Sequence, residues 1–277
     1  MSEKHPYTIF GKPGFSSSSL IVGWAQDAGK LGARVIDYLN GKLSGRAFGE
    51  IEPTDFFALG GVAVENDVAQ FPEAKFYCCP ESGLVLFLSD LPAAEWYRFL
   101  DLVLDVAERY CNVKEVYSVG GMFSYGVHTA RREMFAIANS VQMKQVLLDY
   151  ELAGDTDYET PPGQRPTLSS YLLWAAKKRG LAGAGLWTTV PFYLAAAEDP
   201  EAWKKPLVFF DTRFDLGIDF TDLDENIARQ NDKVARARSE SYEIDDYMRR
   251  MESNLVLTEE DIERLTAKIE EYLRGRD

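Results

Sequence analysis

Histidine is nearly missing from this chain, with two among 277 residues. Imidazole chemistry is therefore confined to His5 and His128. Cysteine is scarce as well. Cys78 and Cys79 are adjacent and Cys111 stands apart, which gives neither a disulfide framework nor a spacing suited to zinc. Reduced thiols are expected, with no metal and no cofactor. No apolar run reaches the roughly 20 residues that cross a bilayer. Met1-Ser2-Glu3-Lys4-His5-Pro6 lacks the apolar segment of a signal peptide, so a cytoplasmic protein without membrane contact is expected. Basic charge is short: 30 Lys and Arg stand against 44 Asp and Glu, a net charge of −14. Phosphate backbones repel such a surface, and nucleic-acid binding is not expected. There is no Gly-x-Ser-x-Gly elbow, the sequence signal of an α/β-hydrolase nucleophile.

What the chain does have is a hydrophobic content of 46%, enough for a substantial core. Its most telling stretch is Leu20-Ile21-Val22-Gly23-Trp24-Ala25-Gln26-Asp27-Ala28-Gly29-Lys30-Leu31-Gly32. An apolar strand stops at a glycine and turns into a helix, the junction at which α/β proteins place ligands. It fits neither phosphate fingerprint. Five residues separate Gly23 from Gly29-Lys30 where a P-loop has four, and Leu31 stands where a metal-binding Ser or Thr belongs. Gly23, Gly29 and Gly32 also miss the dinucleotide spacing.

Strands are expected at 7–10 and 19–23. The helix that follows carries Ala28, Leu31, Val35, Ile36 and Leu39 on one face and is expected to stop at Asn40-Gly41. Residues 50–89 look all-β. One hairpin joins Phe56-Phe57-Ala58-Leu59 to Val62-Ala63-Val64 across Gly60-Gly61, and another joins 75–79 to 84–88 across Pro80-Glu81-Ser82-Gly83. Pro92 suits the first turn of a helix whose stripe is Trp96, Phe99, Leu100, Val103, Leu104, Ala107 and Tyr110. Residues 113–119 return as a strand ending at Gly120-Gly121, and 134–138 give another. A short helix at 143–148 follows, with Ser140 near its cap. A polar loop spans 156–164. Thr167 then caps a helix on Leu168, Tyr171, Leu172, Ala175 and Ala176 that ends by Gly180. Residues 181–190 form the last strand.

This alternation predicts a central sheet with helices on both faces. After Phe220 the chain is charged and free of Gly and Pro up to Ser253. Thr258, with Asp261 three residues on, opens a final helix on Ile262, Leu265, Ile269 and Leu273. The expected domains are an α/β core, residues 1–220, and a helical lid or docking extension of two helices, residues 221–277.

His128 lies downstream of a strand end beside Arg131 and Arg132, which makes it the candidate acid, base or anion-binding residue; the alternative is a histidine that only caps a loop. Asp27 and Ser89-Asp90 each follow an apolar strand and would meet at the strand ends of a parallel sheet, although Asp at such a turn is first of all a helix cap. Gly120-Gly121 would turn backbone N–H groups toward an anion, or merely allow a turn. The candidate ligand-binding set is therefore Gly23, Trp24, Asp27, Ser89, Asp90, Gly120, Gly121, His128 and Arg131. No residue is assigned to catalysis, a cofactor or a metal. Cys79, before Pro80, reads as a buried strand cysteine rather than a nucleophile. Trp187, Phe192 and Tyr193 serve either a pocket or the core. Arg236, Arg238, Arg249 and Arg250 stand among acids, as on a solvated helix laced with i,i+4 pairs or a docking face.

Several of these segments, in this order, resemble the PAC2 family of proteasome assembly chaperone-like proteins. They are Leu20-Ile21-Val22-Gly23-Trp24 with Gly29 and Gly32; Val119-Gly120-Gly121-Met122; Val127-His128-Thr129 with Arg131; Pro161-Pro162-Gly163; and Leu186-Trp187-Thr188-Thr189-Val190-Pro191-Phe192-Tyr193-Leu194. The resemblance implies a three-layer α/β/α sandwich like the phosphorylase/hydrolase-like fold, with a C-terminal helical extension. It implies a homo-oligomer, a trimer or tetramer. Eukaryotic relatives help assemble the proteasome α ring without ATP, and some archaeal relatives dock through a tail with a penultimate tyrosine. This chain ends Tyr272-Leu273-Arg274-Gly275-Arg276-Asp277, so its tyrosine is misplaced for that mode.

Two functions follow as expectations. The first is a non-enzymatic, ATP-independent, self-associating assembly-chaperone-like protein acting through protein contacts, with a proteasome-related partner implied only by the resemblance. The alternative is a small-ligand binder or a hydrolase/phosphorylase-like enzyme, with its pocket at the strand ends under the C-terminal helices.

Overall fold

The computed structural model describes residues 6–57, 63–65, 67–154, 157, 159–196 and 198–274. The first elements are β1 Tyr7–Ile9, β2 Ser18–Trp24, α1 Leu31–Lys42, β3 Arg46–Ile51, β4 Ala63–Glu65, β5 Val68–Gln70, β6 Ala74–Cys79 and β7 Leu84–Ser89. There follow α2 Trp96–Cys111, β8 Val113–Ser124, β9 Met134–Ala138, α3 Val141–Leu147, α4 Leu168–Lys178 and β10 Ala182–Pro191. Four helices close the chain: α5 Pro200–Phe214, α6 Thr221–Glu240, α7 Tyr242–Glu252 and α8 Glu259–Arg274.

Eight strands form one mixed sheet in the order β1-β3-β6-β7-β2-β8-β10-β9. β7, β2 and β8 are parallel neighbours, whereas β1, β3, β6 and β7 are joined antiparallel. Among the described residues β4 and β5 pair with each other alone, as a small antiparallel ribbon. The unbroken apolar runs of β2 and β7 follow from their central places, since both faces of each strand are covered.

Successive residues of β2 point to opposite faces. Leu20, Val22 and Trp24 enter a core with Phe99, Leu100, Val103 and Leu104 of α2 and Leu168, Leu172 and Ala176 of α4. Gly23 points the other way, onto Gly32 and Ile36 of α1. A three-layer α/β/α sandwich results. Phe48, Phe76, Phe87 and Phe99 run through the core with successive centroids 5.7, 4.4 and 6.2 Å apart. Each such fully buried side chain contributes roughly 1.5–3 kcal/mol through removal from water.

The chain divides into two compact units. The first takes its residues from 1–26, 32–120 and 135–187, the second from 27–31, 121–134 and 188–277. The second has its own core, in which Tyr193 and Leu194 pack with Val234 and Ala237 of α6, Ile244 and Met248 of α7, and Leu265 and Ile269 of α8.

Several local expectations need correction. α1 runs through Asn40-Gly41 to Lys42, and the left-handed residue beyond it is Ser44. Phe56 and Phe57 are buried without strand pairing; Ala58, Leu59, Gly60, Gly61 and Val62 lie outside the described residues, and β4 pairs forward with β5. Pro92 precedes α2 instead of opening it, and its carbonyl accepts the Trp96 indole N–H at 2.7 Å. β8 does not stop at Gly120-Gly121 but passes through both to Ser124. Three helices, not two, follow Phe220, because the Ser241 hydroxyl caps a new helix by accepting the Ile244 N–H. α5 was not anticipated, although Asp199-Pro200 is a helix-start pair. The expected caps at Ser140, Thr167 and Thr258 all form.

Candidate functional site

In the first unit the parallel register sets Trp24 beside Ser89 and Gly23 beside Val119, which precedes Gly120. Gly23, Trp24 and Ser89 thus share the C-terminal ends of two adjacent strands, and Gly120 lies beside them inside β8, which runs on to Ser124. The side chains of Trp24 and Ser89 are already engaged. Trp24 is 4% exposed, and its indole N–H donates to the Ser169 hydroxyl at 2.9 Å. Ser118 donates to the same oxygen at 2.7 Å. The Ser89 hydroxyl donates to the Asp90 carbonyl at 2.7 Å. The Asp90 carboxylate accepts the Glu73 N–H at 2.8 Å and a hydrogen bond from the Gln26 side-chain amide. Gln26 in turn accepts the Leu91 N–H at 2.6 Å. Asp90 therefore ties three loops together.

The glycines have a packing role. A Cβ on Gly23 would lie 2.5 Å from the Gly32 carbonyl oxygen, and one on Gly32 would lie 2.9 Å from the Val119 carbonyl oxygen. Their spacing lets α1 approach the sheet backbone closely, which is why it resembles a phosphate loop without being one.

The second unit holds Asp27, Gly121, His128 and Arg131. Asp27 was read as a helix cap, but its carboxylate accepts no cap hydrogen bond; instead it accepts the Gly121 N–H at 2.8 Å. His128 is 5% exposed. The Tyr193 hydroxyl accepts the His128 backbone N–H at 2.5 Å and lies 3.1 Å from Nδ1. Burial first, and then the charges of Arg132 and Arg238, push the imidazole pKa down to about 4 against the pull of Asp199 and Glu252. The neutral ring carries one proton, and Nδ1 shares a hydrogen bond with the Tyr193 hydroxyl whose direction is set by the tautomer. Burial holds the Tyr193 phenol above its ordinary range, so it stays protonated.

Arg131 is exposed, whereas its neighbour Arg132 is the buried member of the pair. Arg132 Nε donates to Asp199 at 2.7 Å, and Nη1 donates to the carbonyls of His128 at 2.8 Å and Ala130 at 2.7 Å. Asp199 also accepts the Ala202 N–H at the start of α5. Four buried polar side chains, His128, Arg132, Tyr193 and Asp199, thus satisfy one another. The sequence alone does not bring Arg132, Tyr193 and Asp199 together; the one local signal that could have pointed to Asp199, its place before Pro200 at a helix start, went unused. The cluster fixes the 125–133 loop to α5, and His128 Nδ1 is occupied by it.

Cys78, Cys79 and Cys111 are buried free thiols. Burial pushes Cys79 and Cys111 up to about 12, which keeps both as thiols and fits the strand-cysteine reading of Cys79. Tyr193 goes to the core rather than a pocket. Of the C-terminal arginines, Arg249 makes an i,i+4 pair with Asp245, but Arg238 links α6 to Asp245 and Glu252, and Arg250 reaches Asp261.

Large apolar side chains are exposed on two short stretches of strand, with Val64 and Val68 on opposite faces of the ribbon and Phe123 on the face opposite Met122. In the first unit Val64, Val68 and Phe71 are 68%, 59% and 65% exposed on and beside the β4–β5 ribbon. In the second, Met122, Phe123 and Tyr125 are 41%, 63% and 73% exposed along and just beyond the end of β8. Among the described residues, no helix is long and apolar enough to cross a membrane.

These features define an α/β/α sandwich protein with a helical C-terminal part. The sequence profile of the PAC2 family matches residues 20–238, and the chain belongs to that family. Curated protein sequences give no match. Solved structures do. A proteasome-assembly chaperone homologue from Mycobacterium tuberculosis is 20% identical with a TM-score of 0.69, covering 83% of this chain and 99% of the other. A second protein from that organism, of unknown function, is 19% identical with a TM-score of 0.75, covering 90% and 87%. PbaB, an archaeal proteasome activator from Pyrococcus furiosus, is 17% identical with a TM-score of 0.65, covering 83% and 97%.

Proposed function

We propose that this protein is a non-enzymatic, self-associating PAC2 member that acts through protein–protein contacts, as an ATP-independent assembly-chaperone-like factor. The observation that carries this reading is the grouping of its exposed apolar side chains. Single exposed hydrophobic residues are ordinary, whereas large ones at alternate positions, such as Phe123 and Tyr125 at and just beyond the end of β8, favour a surface that a partner covers. A two-stranded ribbon is also marginal alone in water, and docking against a protein would stabilise β4 and β5. The names of two similar structures, an assembly-chaperone homologue and a proteasome activator, favour partners of this kind.

Affinity purification from the native host tests it. The same macromolecule is expected in every replicate and is expected to disappear with Phe123→Asp plus Tyr125→Asp. Recovery of no reproducible macromolecule would overturn the reading.

A further inference from the structure

In the second unit, α5, α6 and the end of α8 border a cavity of ≈ 420 Å³. The volume is within the range of small-molecule sites. Its walls differ in chemistry. Trp203 of α5 and Leu273 of α8 supply apolar surface. α6 supplies Asn226, Arg229, Gln230 and Lys233, whose i, i+3, i+4, i+7 spacing places them on one helical face.

That face is arranged for an anion. The Asn226 side-chain oxygen accepts a hydrogen bond from Arg229, which leaves the Asn226 amide protons as the donors of that side chain. The Gln230 amide donates to the Glu198 carbonyl at 2.5 Å and is held in place. Arg229 and Lys233 stand one turn apart, and among the described lining residues Glu198 carries the one carboxylate. Glu198 itself has a φ of 71°, a left-handed conformation uncommon for a non-glycine residue. Such conformations cluster where a site is held in shape.

We infer that this cavity binds a small organic anion whose carboxylate or phosphate pairs with Arg229 and Lys233 while a planar ring lies against Trp203. Among the described residues the lining shares none with the exposed apolar stretches at 64–71 and 122–125.

Calorimetry and tryptophan fluorescence with benzoate and with adenosine monophosphate test the inference, with adenosine and inorganic phosphate as partial ligands. Saturable binding of at least one ring-bearing anion is expected, with a Kd below about 1 mM. Arg229→Gln plus Lys233→Gln should weaken it at least about tenfold, with an unchanged circular dichroism spectrum and subunit mass. Trp203→Leu should remove the fluorescence response and the preference over inorganic phosphate. Carboxylate and phosphate ligands are distinguished by which of the two anions binds. Absence of saturable binding by both would overturn the inference. So would binding unchanged by the double substitution, or inorganic phosphate binding as tightly as the ring-bearing anion.

Discussion

Arg132 and Asp199 form an ion pair at 2.7 Å with both side chains buried, 3% and 1% exposed. The guanidinium also holds the carbonyls of His128 and Ala130, and the carboxylate also caps α5. Removing one member leaves the other charge buried. Asp199→Ala is therefore expected to destabilise the protein by about 3–5 kcal/mol. Urea unfolding of the purified variant measures this, and a loss under about 1 kcal/mol would show that the pair behaves as a surface one.

His128 gives a pH dependence. The folded imidazole titrates near pH 4 and the unfolded one near 6.5, so between these values unfolding takes up a proton. Stability from this group is fully present above about pH 6.5 and is lost as pH falls toward about 4. His128→Asn keeps a hydrogen-bonding atom near the Nδ1 position and removes the titration. Its unfolding free energy should fall less steeply than that of the unsubstituted protein across this window. Parallel slopes would contradict the assignment.

The close approach of α1 to the sheet predicts opposite signs at two glycines of the same segment. Gly23→Ala would bring a Cβ to 2.5 Å from the Gly32 carbonyl oxygen and should cost about 1–3 kcal/mol. Gly41 lies within α1 with nothing inside 4 Å of its would-be Cβ, so Gly41→Ala should stabilise by roughly 0.5–1 kcal/mol. Thermal melts of the two variants check the pair. Equal shifts of one sign would show that helix propensity, not the approach, governs Gly23.

The parts of the fold legible in the sequence were those set by short-range periodicity. The apolar run of β2, the stripe of α2 and the caps at Ser140, Thr167 and Thr258 each depend on residues within a few positions. What escaped depends on distant partners. Arg132 and Asp199 are 67 positions apart, and nothing local distinguishes the buried Arg132 from the exposed Arg131. Gly121 looks like a turn glycine, yet it lies inside β8 where the Ala28 carbonyl leaves no room for a Cβ. A glycine required by a neighbouring backbone and one required by a turn are identical in sequence. Of the candidate residues, the strand register aligns Gly23, Trp24, Ser89 and Gly120, and a hydrogen bond joins Asp27 to Gly121. His128 meets Tyr193 and Arg132 instead.

The central claim is that exposed apolar stretches are covered by protein. Light scattering coupled to size exclusion tests it most directly, on the full chain and on Phe123→Asp plus Tyr125→Asp. The account predicts a discrete mass of at least two subunits that falls in the variant while its circular dichroism spectrum stays unchanged. A monomer at all concentrations, or an oligomer indifferent to the substitutions, would contradict it.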